Sequence, residues 1–170
     1  MSGSARILGI DPGLQITGYG IVQTAEAASP LADPQLIEAG VIRLTPRQSI
    51  EHRLHQLHRE LVELIDEHAP TALAVEKLYA HYRHPRTAIL MAHARGVILL
   101  AAEQRGLGVA HLPSTEVKKA VTGYGHASKE QMQRAVQSQC RLAELPSPPD
   151  VADAIAIALC HARRLALQRL

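Results

Sequence analysis

The segment Arg6-Ile-Leu-Gly-Ile-Asp11 is a short apolar run that ends in a carboxylate, and Pro12-Gly13 follows it directly. Because its apolar residues do not alternate with polar ones, we predict a strand that is buried on both faces, at the centre of a sheet. Pro and Gly break this strand, and residues 17–23 predict a second strand that returns as a hairpin. The segment Thr71-Ala-Leu-Ala-Val-Glu76 repeats the first pattern, an apolar run with one terminal carboxylate.

The rest of the sequence predicts one α/β domain over residues 1–170, because neither an internal repeat nor a linker interrupts it. Ser114 and Ser128 are suited to cap helices. The predicted order is βββαβαβ followed by helices. The further elements are a third strand at 36–44, a helix from 49 to before Pro70, a strand at 71–76, a helix within 85–105, a strand at 108–112, helices at 114–121 and 128–140, and a final amphipathic helix at 150–164.

Four carboxylates are placed to meet at one end of this sheet. A helix crossover makes the first and fourth strands parallel, so Asp11 and Glu76 lie side by side at their carboxyl ends if the two strands pair. Asp150 and Asp153 are three residues apart in the first turn of the final helix and share a face. Four carboxylates form an all-oxygen site suited to Mg²⁺ or Mn²⁺. Two such ions about 4 Å apart can clamp a phosphodiester.

Each carboxylate alone also has an ordinary structural explanation. Asp150 follows a Pro pair and is suited to a helix cap, and Asp153 is favoured by the helix dipole. Glu76 could begin a loop, and Asp-Pro-Gly at Asp11 is a common turn. It is the combination of two strand-terminal acids with a helical pair that favours a metal site.

Composition and charge narrow the class of protein. The chain has 170 residues, 46% hydrophobic and 20% charged, which is the balance of a globular protein and not of a disordered one. Residues 1–76 contain five basic and ten acidic side chains, whereas residues 77–141 contain ten basic and three acidic ones. The basic middle segment is compatible with polyanion binding and equally with a solvated helix face.

The two cysteines have no paired spacing, which argues against a disulfide framework or a zinc knuckle. Residues 1–10 lack a secretory hydrophobic region, and the apolar runs are too short to cross a bilayer. We therefore expect a cytoplasmic protein.

Seven short motifs are distributed along nearly the whole chain. They are Gly9-Ile10-Asp11-Pro12-Gly13, Thr17-Gly18-Tyr19-Gly20, Ala74-Val75-Glu76, Arg95-Gly96-Val97, Val117-Lys118-Lys119, Gly123-Tyr124-Gly125 and Asp150-Val151-Ala152-Asp153-Ala154. Together and in this order, they resemble the RuvC family of bacterial crossover-junction endodeoxyribonucleases. The ordered set is more specific than the Asp-Pro-Gly opening, which related nuclease and ATPase folds share.

The resemblance implies an RNase H-like fold, with a mixed five-stranded sheet of order 3-2-1-4-5 flanked by helices. It also implies a homodimer that resolves four-way (Holliday) DNA junctions by symmetrical paired nicks, in recombination and repair. Asp11, Glu76, Asp150 and Asp153 fall on the family's four acidic positions, which implies catalysis with Mg²⁺ or Mn²⁺, two ions per site. Contact with the RuvA–RuvB branch-migration complex is implied by the family as well.

The same resemblance implies a set of DNA contacts. Tyr79 falls where the family stacks an aromatic side chain on a base near the crossover, although a core Tyr is the alternative. Lys118 and Lys129 match positions used on the DNA backbone, and Lys119 is a neighbour. From charge alone we add Arg83 and Arg86.

Other functions compete with this interpretation. They are a related RNase H-like nuclease of another resolvase or transposase type, a catalytically silent junction-binding module, and an actin-like or Hsp70-like nucleotide-binding fold. The last would need a second subdomain for which 170 residues leave no room.

Overall fold

The computed structural model describes residues 4–25, 32–78 and 85–168. Within these ranges the chain forms five strands and five helices in the predicted order. They are β1 (Arg6–Asp11), β2 (Ile16–Gln23), β3 (Gln35–Arg43), α1 (Ile50–His68), β4 (Ala72–Glu76), α2 (Pro85–Gln104), β5 (Gly108–Leu112), α3 (Ser114–Thr122), α4 (Lys129–Gln139) and α5 (Pro149–Leu167).

The strands form one mixed sheet of order β3-β2-β1-β4-β5, which confirms the predicted RNase H-like arrangement. β1 pairs antiparallel with β2 and parallel with β4. Since β1 has a neighbour on each side and helices cover both faces, its apolar side chains are excluded from solvent. Ile7, Leu8 and Ile10 are all 0% exposed. This is why the first strand reads as a continuous apolar run.

Each face of the sheet is covered by a different set of helices. α1 and α2 pack on one face, where Leu57 and Leu61 of α1 meet Leu8 and Ile10 of β1. α5 packs on the other face, together with α3 and α4. The two faces therefore form separate halves of the core.

The final helix differs from the amphipathic helix that the sequence predicts. Positions 151–162 of α5 are buried with only two exceptions. The reason is that α5 lies between the sheet on one side and α3 and α4 on the other, so almost no side of it reaches solvent.

Helix caps agree with the sequence in part. The Ser128 hydroxyl accepts a hydrogen bond from the Gln131 N–H and begins α4 as predicted. Ser114 does not cap α3, because Pro113 holds the N-cap position and Ser114 is the first helical residue. No helix within the described ranges combines the length and apolar character needed to cross a membrane.

Candidate active site

Asp11 and Glu76 end two adjacent parallel strands. β1 and β4 pair in register from Ile7 with Ala72 to Ile10 with Val75, so the next residue of each strand lies at the same edge of the sheet. Alternation along each strand places Asp11 on the face of Gly9, and Glu76 on the face of Ala74. Both carboxylates therefore belong to the face that α5 covers.

Glycines on this face let α5 approach the sheet closely. Gly9 and Gly20 are cross-strand partners, and Gly18 is the partner of Asp11. A Cβ atom on Gly9 would overlap the Ala154 carbonyl oxygen, and one on Gly18 would overlap the carbonyl of Asp150. The first turn of α5 thus rests directly on the strand ends, which brings Asp150 and Asp153 to the edge occupied by Asp11 and Glu76.

The turn after Asp11 is held by a buried threonine. Thr17 is 0% exposed, and its hydroxyl donates to the Gly13 carbonyl (2.7 Å) and accepts from the Gly13 N–H (3.1 Å). Gly13 itself leaves no room for a side chain, because a Cβ atom there would overlap the Ile16 carbonyl oxygen. The threonine that follows the Asp-Pro-Gly motif, Thr17, therefore has a structural role, because it holds the turn closed at Gly13.

All four carboxylates line one cleft of about 640 Å³. The cleft lies at the carboxyl end of β1 and β4, the position at which open α/β sheets bind their ligands. Basic side chains share it with the acids. Its polar lining residues are Asp11, Gln15, Arg53, Glu76, Thr87, Ser114, Lys118, Lys129, Asp150 and Asp153.

The concentration of negative charge is greatest around Asp11. Burial raises the pKa of Asp11 to about 8, and the nearby charges of Asp153, Asp150 and Glu76 raise it in the same direction. A carboxylate in this environment is stabilised by a neighbouring cation. The donor set, with oxygen ligands only, fits a hard divalent ion such as Mg²⁺ or Mn²⁺.

The pKa values of Glu76 and Asp153 are also raised, and in each case a neighbouring group partly offsets the shift. Burial raises the pKa of Glu76, while a hydrogen bond from the Ser114 side chain lowers it. Burial also raises the pKa of Asp153, and the positive charges of Lys129 and Lys118 lower it. The two lysines therefore act directly on the electrostatics of the site.

Among residues 4–25, 32–78 and 85–168, no three His, Cys, Asp or Glu side chains are grouped closely enough to hold a metal ion. The four carboxylates share a cleft but stand apart within it.

The structure divides the predicted DNA contacts into three groups. Lys118 and Lys129 line the cleft. Lys119 and Arg86 are exposed to solvent and lie outside the cleft lining. Tyr79 and Arg83 lie outside the described residues.

Three residues at the site were not predicted for it from the sequence. Arg53 of α1 lines the cleft, and it comes from residues 1–76, where acidic side chains outnumber basic ones by ten to five. Ser114 was assigned only to a helix cap. Arg95 of α2 donates from Nη1 to the Glu76 carbonyl oxygen (2.8 Å) and contacts His111, so it holds the end of β4. Arg95 lies in a motif shared with the family, and that is the one sequence feature that could have pointed to it.

Comparison with known proteins agrees with this geometry. The family model described as "Crossover junction endodeoxyribonuclease RuvC" matches residues 7–161. The chain is similar to the protein of that name from Rhodopirellula baltica, with 48% identity over 93% of this chain and 86% of the relative. It is also similar to the one from Pelotomaculum thermopropionicum, with 44% identity over 96% of each chain.

Among solved structures, the chain is similar to Thermus thermophilus RuvC in complex with Holliday junction substrate. The identity is 32%, the TM-score is 0.86, and the match covers 97% of each chain. A second structure of Thermus thermophilus RuvC matches with a TM-score of 0.83 over 96% of each chain. Sequence, fold and the order of the site motifs lead to one assignment: this chain is a member of the crossover junction endodeoxyribonuclease RuvC family.

Proposed function

We propose that this chain, as one nuclease domain over residues 1–170, resolves four-way (Holliday) DNA junctions by symmetrical paired nicks. The observation that supports this most strongly is the cleft in which four carboxylates meet Lys118 and Lys129. A relative with 32% identity and nearly full-length similarity has been solved with a Holliday junction substrate. An acidic centre bordered by lysines is suited to hydrolysing a polyanionic backbone.

We assign the metal site to Asp11, Glu76, Asp150 and Asp153, which would hold two Mg²⁺ or Mn²⁺ ions. The raised pKa of Asp11 supports this assignment, because burial and then three neighbouring acids disfavour its negative charge, which a divalent ion would offset. When bound, such ions supply water activation and charge stabilisation at the phosphate and the leaving oxygen.

The protein's own basic residues would position the substrate. Lys118 and Lys129 lie beside the acids and would hold the strand by its phosphates. Water is the nucleophile in this proposal. The bond between phosphorus and the 3′ oxygen breaks, so the products carry a 5′-phosphate and a 3′-hydroxyl. Lys119 and Arg86, which are exposed outside the cleft, would contact the arms of the junction. Base stacking by Tyr79 and a backbone contact by Arg83 remain predictions.

A homodimer would supply the two sites that a two-fold junction needs. The outer side of α2 supports this, since Ile89 is 58% and Leu100 is 52% exposed. Gly96 lies on the same side, with open space beside it. We propose that a second copy of the chain covers this apolar surface. Leu100→Glu should then give a monomer in analytical ultracentrifugation, whereas an unchanged mass would contradict the interface.

Family membership also supports a role in DNA recombination and repair, a cytoplasmic location and cooperation with the RuvA–RuvB complex. A pull-down of purified RuvA–RuvB on junction DNA, with and without this protein, tests the last point.

The central experiment is a nicking assay on four-way, flapped and linear duplex DNA in Mg²⁺. The wild-type protein should cut the four-way junction preferentially. Asp11→Asn and Asp153→Asn should bind it and fail to cut, because each removes an oxygen ligand charge. Asp66→Asn is the matched control, since Asp66 is exposed and pairs with Arg105 far from the cleft.

Cleavage that persists in Asp153→Asn would overturn the site assignment. Equal cutting of flapped or linear DNA would instead favour another type of RNase H-like nuclease, and binding without cutting by the wild type would favour a silent junction-binding module.

A further inference from the structure

Arg53 is a basic residue of the cleft for which the family resemblance supplied no role. It lies in the first turns of α1, which packs on the opposite face of the sheet from α3 and α4. Lys118 and Lys129 come from α3 and α4. The cleft therefore has two lysines on one side of the strand ends and Arg53 on the other.

One contact anchors the Arg53 guanidinium beside the acidic centre. Its Nη1 donates to the carbonyl oxygen of Leu14 (3.0 Å), in the turn that follows Asp11. That turn does not depend on Arg53 alone, because Thr17 holds Gly13 by two hydrogen bonds and the Leu44 N–H bonds to the Gln15 carbonyl (2.9 Å). Holding the turn therefore does not by itself account for an arginine here.

The guanidinium is otherwise under-bonded. Its Nε is buried and has no hydrogen-bond partner among the described residues. No carboxylate within the described ranges lies within ion-pair distance of Arg53, whereas Arg59 on the same helix reaches both Glu60 and Glu63. A half-buried guanidinium that has spare donors and no carboxylate within ion-pair distance has the chemistry of an anion site.

We propose that Arg53 binds a phosphate of the DNA strand lying in the cleft, on the side opposite Lys118 and Lys129. This inference rests on the proposed function. The strand would then be held by its backbone on both sides of the carboxylates, so that the phosphodiester between them is fixed over the acidic centre. A planar guanidinium suits this position, since it can keep its bond to the Leu14 carbonyl while other N–H groups meet phosphate oxygens.

The test is equilibrium binding of a four-way junction in EDTA, where cutting is prevented, as a function of salt. Arg53→Gln should weaken binding about 10-fold, the order expected for a charged hydrogen bond. It should also reduce the slope of log affinity against log salt by about 1, as for the loss of one phosphate contact. Arg53→Lys should keep the slope and recover part of the affinity. Arg59→Gln, on the same helix, should behave as the wild type.

A second measurement separates phosphate binding from positioning of the turn. The rise in melting temperature on adding Mn²⁺ should be unchanged in Arg53→Gln, because the carboxylates remain in place. Wild-type affinity and salt slope in Arg53→Gln, even with cleavage lost, would overturn the inference. So would a loss of the Mn²⁺ response together with affinity, since it would show that the turn has collapsed.

The proposed function can fail independently of this inference. If the wild type shows no preference for the junction but Arg53→Gln still lowers the salt slope on duplex DNA, the junction function fails and the phosphate contact stands.

Discussion

The two faces of the central sheet are packed in opposite ways. Towards α1 and α2, β1 presents Leu8 and Ile10, which meet large aliphatic side chains. Towards α5, the same strand presents Gly9 and, at its end, Asp11, and the helix backbone lies directly on the sheet. One face is held by side chains that interdigitate, and the other by a helix seated on glycine.

This difference separates stability from function. Side-chain packing can relax when one residue is made smaller, although it loses free energy in doing so. Contact between a helix backbone and a strand backbone cannot relax without moving the helix. Since α5 contributes Asp150 and Asp153, the α5 face controls where the carboxylates lie, while the α1–α2 face mainly contributes apolar burial.

The largest expected effect on the free energy of unfolding comes from Asp11, at the charged end of the α5 face. The pKa of Asp11 is raised to about 8, above 3.8 for the free side chain. The folded protein therefore binds this proton more tightly than the unfolded chain. The contribution of Asp11 to stability is fully present below about pH 4 and is lost as pH rises towards 8. In EDTA at pH 8, Asp11→Asn should raise the free energy of unfolding, by about 1.4 kcal/mol for each unit of the shift.

Urea denaturation of wild type and Asp11→Asn between pH 5 and pH 8 measures this difference. Mg²⁺ should stabilise the wild type and have little effect on Asp11→Asn. A stability gap that does not grow with pH would contradict the electrostatic origin.

The next largest effect on stability is expected from a substitution that creates a cavity on the opposite face of the sheet. Leu61 of α1 is 0% exposed. Leu61→Ala should lower the free energy of unfolding by about 2–5 kcal/mol, because a buried cavity remains. Junction cleavage below the melting temperature should stay within about two-fold of wild type, since α5 does not move. Loss of kcat in parallel with stability would break the proposed separation of the two faces.

The corresponding experiment on the α5 face adds a side chain where the strand has a glycine. Gly9→Ala places a Cβ atom against the backbone of α5, 2.6 Å from the Ala158 nitrogen. We expect a destabilisation towards the upper end of about 1–3 kcal/mol, with cleavage reduced in the folded fraction as well. Gly108→Ala is the matched control, because a Cβ atom there meets nothing within 4 Å. Equal stabilities of the two variants would refute close packing as the reason for glycine.

The smallest effect on stability should accompany a clear effect on activity. Gly18→Ala would push against the Asp150 carbonyl at the half-buried start of α5, which can yield more easily than the buried middle of the helix. We expect about 1 kcal/mol of destabilisation and at least a ten-fold loss of kcat. Single-turnover cleavage with saturating enzyme separates this loss from weaker binding. A wild-type rate would show that Asp150 tolerates displacement.

Much of the fold follows from local patterns in the sequence. The uninterrupted apolar runs before Asp11 and Glu76 predicted strands, the helix crossover between them predicted that they are parallel, and the helix predicted from residue 49 is α1. The prediction was wrong for α5, described as amphipathic, because a single sequence does not show that α3 and α4 cover the helix from outside. It was also wrong for Ser114, because whether a serine at a helix start caps it depends on backbone geometry.

The sequence by itself determined that four carboxylates end apolar elements and that the chain carries the motifs of its family, since both are properties of residue order. Only the tertiary structure decided how these acids are assembled. The glycines allow α5 to pack directly on the strand ends, and Arg53 and Ser114 line the cleft although no sequence pattern assigned these two residues to it. The physical reason is that charge, burial and hydrogen bonding at the site arise between segments far apart in the chain, and local pattern does not fix the distance between them.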